Sequence, residues 1–151
     1  MAFTFEKWNR NETKGFQLGT PVSTDIESKH LIFFNSGVPT LVAKDTAATN
    51  DIYILAEDLV KATTKQNVPG QRDTAVVYDI RDTDLLVAEY EYPTATSADA
   101  PSQGDDVAVD AGARVVKPGE GEVARFKIVE VSDVSFTEED NTIVRVVVKK
   151  I

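Results

Sequence analysis

The chain has 151 residues, of which 42% are hydrophobic and 27% charged, proportions that are ordinary for a folded protein. No apolar stretch approaches the roughly 20 residues of a transmembrane helix, and charged residues interrupt the N-terminus before a signal-peptide core forms. The absence of cysteine excludes disulfides, thiolate nucleophiles and cysteine metal ligands. Composition therefore predicts a folded protein and does not by itself indicate a function.

The net charge of −9 is unevenly distributed along the chain. Residues 1–70 carry 7 basic and 8 acidic side chains, whereas residues 71–151 carry 9 basic and 17 acidic ones. An acidic surface repels phosphate backbones and anionic lipids, so we expect neither a nucleic-acid nor a membrane partner. The nearly neutral first half is the better candidate for contact with a protein partner, and the acidic half for contact with solvent.

Residues 1–14 are polar apart from three separated aromatic residues, Phe3, Phe5 and Trp8. In an extended chain Phe3 and Phe5 point to the same side. Three apolar side chains are too few to form a core, so the segment predicts an extended N-terminal arm with these residues as partner-binding anchors. The alternative is that the arm docks on its own domain.

Short apolar segments bounded by turn residues follow the arm, a pattern typical of all-β proteins. In residues 51–62 helical spacing competes with a strand, and we favour a strand over 52–55 followed by a turn. Strands are predicted over residues 15–22, 29–35, 38–43, 52–55, 74–80, 85–92, 106–109, 113–117, 122–131 and 142–151.

Individual residues refine this pattern. The sequence Asn35-Ser36-Gly37 predicts a tight turn, and Pro39 places the following strand at a sheet edge or at its entry. The apolar side chains change parity between Ile128 and Val129, which predicts a β-bulge. Alternation predicts two buried faces, one formed by Leu86, Ala88, Tyr90 and Tyr92 and one by Val144, Val146 and Val148.

The predicted fold is therefore all-β, a small antiparallel β-barrel or sandwich with an extended N-terminal arm. The expected organisation is an arm over residues 1–14, a first β-domain over 15–92, a flexible surface loop over 93–105 and C-terminal strands over 106–151. The C-terminal strands either belong to the same domain or form a small second β-barrel, and the sequence leaves both arrangements open.

Residue patterns that support catalysis are weak in this sequence. His30, the single histidine, precedes an apolar strand and is interpreted as a packing or surface residue. Two acidic clusters, Asp79 with Asp82 and Asp84 and Asp105 with Asp106 and Asp110, lack the calcium-loop pattern and are interpreted as solvated turns. We therefore predict a protein that is not an enzyme, with no catalytic, cofactor-binding or metal-binding residues.

Residues 35–58 consist of a strand–turn–strand pattern, an alanine- and threonine-rich loop and an apolar strand ending in Ala-Glu-Asp. This segment resembles small capsid decoration proteins of tailed bacteriophages, also called cement or head-stabilising proteins. Residues 85–109, in which Leu-Leu-Val-Ala-Glu-Tyr precedes a loop of small residues and Gly-Asp-Asp-Val-Ala-Val, have a similar texture. Together these segments cover about a third of the chain and include no catalytic signature.

The resemblance implies a non-enzymatic structural protein of the virion, made in the bacterial host cytoplasm. It would bind the outer capsid surface as a homotrimer, contact the major capsid protein and stabilise the shell by bridging capsomers. An arm that adds a strand to the capsid protein would correspond to residues 1–14, with Phe3, Phe5 and Trp8 as anchors. Two alternatives are another virion component, such as a tail-tube or head-completion protein, and a β-sandwich ligand-binding module.

Overall fold

Alternating apolar residues and closely spaced turns produce a protein built from β-strands. The structure is a computed structural model that describes residues 3–7, 15–17, 26, 29–55 and 76–151. Its described residues form eleven strands and one short 3₁₀ turn, Ser97–Asp99. The strands are β1 Thr4–Lys7, β2 Gly15–Gln17, β3 Leu31–Asn35, β4 Val38–Leu41, β5 Tyr53–Leu55, β6 Val76–Asp79, β7 Leu85–Pro93, β8 Asp106–Asp110, β9 Arg114–Val116, β10 Phe126–Glu138 and β11 Asn141–Lys150.

Five of the C-terminal strands close into a small barrel. The sheet order is β1-β7-β11-β10-β8-β9, and β9 returns to pair with β7. This closing contact is parallel and joins Tyr90 to Val115, whereas the other pairings of the sheet are antiparallel. β1 pairs with residues 85–87 of β7, on the N-terminal side of Tyr90, where β9 pairs with the same strand. The length of β7 thus lets one strand serve both the barrel and the N-terminus.

The second sheet is antiparallel and has the order β2-β6-β5-β3-β4. Its β3–β4 hairpin turns at Ser36 and Gly37, with φ angles of 51° and 82°. Positive φ at both central residues is typical of the type I′ turn, whose twist matches that of the strands. β4 is the edge strand, which explains how Pro39 fits the sheet although it cannot donate a hydrogen bond.

The two sheets share one hydrophobic core. Its largest cluster includes Leu31 and Ile54 from the second sheet together with Leu86, Val107 and Val146 from the barrel. The β8–β9 turn enters between β3 and the loop after β4, and its backbone bonds both of them. Gly112 in this turn has φ +66°, and an added Cβ would lie 2.6 Å from the backbone oxygen of Leu31. Only glycine therefore allows this close approach.

Most predicted strands are confirmed, including the strand in the ambiguous segment at β5. The register of β10 against β11 shifts between Ile128 and Glu130, which confirms the predicted bulge. Val144, Val146 and Val148 form the expected buried face of β11. β10 continues to Glu138, seven residues beyond its predicted end. Its outer half is polar and mostly exposed, so the sequence of this part lacks the apolar pattern of a buried strand. Residues 56–75, which include the turn expected after β5, lie outside the described residues.

The N-terminus contributes to the core through Phe3. This side chain is 0% exposed, and its ring stacks on Phe126 with a centroid distance of 5.9 Å. The Phe3 amide donates to the backbone oxygen of Lys29 at 3.1 Å, and β1 follows directly. Phe3 therefore links the N-terminus to both sheets. The part of the expected arm over residues 8–14 lies outside the described residues.

Replacement of Phe3 with alanine is expected to lower the free energy of unfolding by about 3–5 kcal/mol, since it removes a buried ring and leaves a cavity. The matched control is Phe136→Ala, which truncates a phenylalanine that is 47% exposed. We expect a loss of less than about 1 kcal/mol there. Chemical denaturation measures both, and equal losses in the two variants would contradict the packing described for Phe3.

Candidate functional site

The three aromatic residues predicted as anchors have different positions. Phe3 is enclosed by the core and is not accessible to a partner while β1 stays paired with β7. Phe5 lies opposite Leu86 in that pairing, but its side chain falls outside the described residues, as does all of Trp8. The described structure therefore assigns Phe3 to the protein's own core and leaves Phe5 and Trp8 as predictions.

The two acidic clusters are occupied by contacts within the protein. Asp82 lies 3.9 Å from Lys150, and buried Asp84 accepts a hydrogen bond from the Arg81 amide at 2.9 Å. Asp106 pairs with Lys127 at 2.7 Å. In the described ranges no group of three or more histidine, cysteine or carboxylate side chains could hold a metal ion.

His30 is half-buried where the chain enters β3. Its backbone oxygen accepts a hydrogen bond from the Leu55 amide at 2.9 Å. Through this backbone contact, His30 links the start of β3 to β5 within the second sheet.

A buried arginine holds the alanine- and threonine-rich loop that precedes β5. The guanidinium of Arg125 donates to the backbone oxygens of Thr46, Ala47, Ala48 and Asn50, at distances from 2.7 to 3.5 Å. Burial lowers the pKa of this group, because a guanidinium that is taken out of water loses solvation. The loop thus compensates a desolvated charge with converging carbonyl dipoles.

The backbone of Arg125 fixes the same point from the barrel side. Its amide donates to the Val107 oxygen at 2.8 Å, and its oxygen accepts from the Ile151 amide at 3.1 Å. The loop itself is closed by the Thr46 hydroxyl, which accepts from the Ala43 amide at 2.8 Å. Arg125 therefore connects the loop to β8 and to the C-terminus.

A second arginine gathers carboxylates on the barrel surface. Arg114 donates to Glu91 at 2.6 Å and to Glu138 at 2.9 Å, and it lies 3.8 Å from Glu89. The hydrogen bond that Arg114 donates to Glu138, assisted by the one it donates to Glu91, raises the pKa of the guanidinium despite burial. The same bond lowers the pKa of Glu138. The network ties the tip of the β10–β11 hairpin to β7 and β9.

Two adjoining open cavities flank an ion pair between Lys117 and Asp99. One has a volume of about 440 Å³ and includes Tyr92, and the other has a volume of about 410 Å³ and includes Tyr90 and Ser102. Lys117 and Asp99 lie 2.8 Å apart and line both cavities. The hydrogen bond from Lys117 lowers the pKa of Asp99. These clefts could accept a small polar molecule.

Comparisons with protein-family models, with curated proteins and with solved structures found no match to this chain. In the part of the chain that the structure describes, no helix has the length and apolar character needed to cross a membrane.

Sequence analysis missed Arg125, Arg114 and the exposed outer half of β10 as features of interest. Each arginine contacts residues that are far away in the sequence, so local spacing carries no signal for them. For β10, a signal was present in the alternation of Val134 and Phe136 with polar residues up to the Glu138-Glu139-Asp140 turn.

Arg125→Lys is expected to reduce the free energy of unfolding by about 2 kcal/mol, since an ammonium group cannot satisfy the spread of carbonyls and unsatisfied buried acceptors are costly. The loop at residues 46–50 should also become more sensitive to limited proteolysis. Arg145→Lys, at an exposed position on β11, is the matched control and should change stability by less than about 0.5 kcal/mol. Unchanged stability and unchanged proteolysis of the Arg125 variant would contradict the role of its hydrogen bonds in holding the loop.

The protein is expected to lose stability at alkaline pH because of Tyr90. The Tyr90 hydroxyl donates to the backbone oxygen of Asp99 at 2.7 Å, and burial, with Asp105 and Asp99 nearby, raises its pKa from 10.0 to about 12. The folded protein therefore holds this proton more tightly than the unfolded chain. The contribution of Tyr90 to the free energy of unfolding is fully present below pH 10 and should decrease as the pH rises towards 12.

The test is urea denaturation across this pH range in the wild type and in Tyr90→Phe, which should lose this part of the pH dependence. Tyr92→Phe is the matched control and should retain most of it, because Tyr92 is the smallest of the causes that raise the pKa of Tyr90. An unchanged pH dependence in Tyr90→Phe would show that the alkaline loss comes from other groups.

Proposed function

We propose that this protein is a non-enzymatic structural component of a tailed-phage virion that binds the outer surface of the capsid. In this role it bridges neighbouring capsomers through the major capsid protein, as a homotrimer on the shell. The protein would be made in the bacterial host cytoplasm and act in the assembled particle.

The observation that carries this proposal is the segment of residues 35–58 that resembles capsid decoration proteins. Residues 35–55 of this segment form the β3–β4 turn and β4, the loop held by Arg125, and β5, while residues 56–58 lie outside the described residues. A loop fixed by four hydrogen bonds can present a partner with the same surface in every copy. Pre-organisation of this kind reduces the entropy lost on binding.

The distribution of charge and the exposed side chains support the same proposal. An acidic surface keeps a particle that carries many copies dispersed in solution. Val38, at the tip of the β3–β4 hairpin, is 54% exposed, and Val134 is 51% exposed. Many modest contacts of this kind across a shell gain strength through avidity, so no single contact has to be strong.

A ligand-binding module is the second candidate, and the two cavities beside Lys117 and Asp99 favour it. Their combination of a cation, a carboxylate and tyrosine side chains suits a small polar ligand. Under this alternative the protein would bind such a ligand in isolation, without any particle.

Quantitative mass spectrometry of purified particles from the source tests the capsid proposal. We expect this chain at a copy number near that of the shell protein, with release when the shell is dismantled. The portal and tail proteins of the same particles provide internal controls for low copy number. A copy number in their range would indicate a connector or tail component, and absence from the particle would contradict the virion proposal and favour the ligand-binding module.

A further inference from the structure

We propose that the outer edge of β10, residues 129–138, is a docking site for an extended segment of a partner protein. The segment would have apolar residues alternating with lysine or arginine and would add a strand to the sheet. This inference depends on the edge alone and holds for any partner with such a segment, whether or not the partner is a capsid protein.

The first observation is that the backbone of this edge is open. β8 pairs with β10 only at Phe126 and Lys127, and backbone bonds to Ile128 extend this contact by one residue. From residue 129 onward, no other described strand pairs with the edge opposite β11. The Val134 amide donates to the Ser132 hydroxyl at 3.1 Å. An added strand would satisfy the other backbone groups that point away from β11, and its alternate side chains would provide specificity.

The second observation is that large apolar side chains are exposed along this strand. Val129, Val134 and Phe136 are 36%, 51% and 47% exposed. Phe136 lies opposite Ile143, which is fully buried, so it borders the core at the rim of the barrel. Exposed apolar residues along an open strand edge mark either an interaction site or a risk of aggregation.

The third observation is the charge around these side chains, which determines the kind of partner. Residues 129–140 include five acidic residues and no basic residue: Glu130, Asp133, Glu138, Glu139 and Asp140. Glu138 is paired with Arg114 of β9. An edge-to-edge contact with a second copy would place two such acidic strands together, and like charges across a strand pair are destabilising. A basic segment would instead form cross-strand ion pairs.

The bulge in β10 agrees with selection against self-association. Ser132, Asp133 and Val134 lie opposite a single residue of β11, Arg145, because the register jumps between Val131 and Ser135. Bulges and charges are the devices by which natural sheets avoid pairing with their own copies. A bulge disturbs pairing with any added strand, so the acidic side chains are what distinguishes a second copy from a strand of opposite charge, and Val134 and Phe136 are exposed for contact with the latter.

Binding of a synthetic peptide to the full-length protein tests this proposal. The peptide has the length of the edge and alternates valine with lysine, and a second peptide replaces each lysine with glutamate. Fluorescence anisotropy should show saturable binding of the lysine peptide only. Amide hydrogen exchange should slow by about tenfold or more at residues 129–138 and not in the rest of the described strands.

A charge-swapped variant separates specific docking from general attraction. Glu130→Lys with Asp133→Lys should weaken binding of the lysine peptide by about tenfold or more and allow binding of the glutamate peptide. The control, Asp51→Lys with Glu120→Lys, makes the same change in net charge at exposed positions outside β10 and should bind like the wild type. Phe136→Ser should weaken binding while the thermal transition of the protein stays cooperative.

Several results would overturn the proposal. They are absence of saturable binding, slowed exchange outside residues 129–138, or equal loss of binding in the charge-swapped and control variants. A concentration-dependent dimer of the free protein that protects this edge would also overturn it, because the occupant would then be a second copy.

Discussion

The guanidinium of Arg125 lies where the loop before β5 meets the barrel, and its four hydrogen bonds go to backbone oxygens of that loop. A buried cation is costly unless its environment compensates it, so the loop can take few other conformations while the group is enclosed. The backbone of the same residue joins β8 and the C-terminus. Arg125 thus joins the loop of the second sheet to the barrel directly before β10 begins, beside the contacts of Gly112 and Phe3.

Sequence patterns predicted the strands because their determinants are local. Alternation of apolar residues, the Ser36-Gly37 turn and the proline on β4 act over a few residues, and the change of parity at Ile128 revealed the bulge. Closure of the barrel could not be predicted from such local patterns, because it depends on one parallel pairing between Tyr90 and Val115, which are far apart in the sequence. The outer half of β10 was also missed, because its polar residues resemble a loop.

The candidate site was harder to predict because its contacts join distant parts of the chain. Phe3 has the isolated apolar character of an anchor in the sequence, yet its ring stacks on Phe126. Arg125 and Arg114 gain their roles only once the sheets are packed. The result is a molecule with a fixed interior and an exposed acidic strand edge, on which the proposed docking site is based.

Residue-resolved hydrogen exchange of the free protein tests this division between a fixed interior and an open edge most directly. The amides of Leu31 and Gly112, which bond across the junction of the sheets, should exchange only through global unfolding. The amides of residues 129–138 that point away from β11 should exchange much faster, through local exposure. Exchange at this edge as slow as at the junction would show that the edge is covered and would contradict the account.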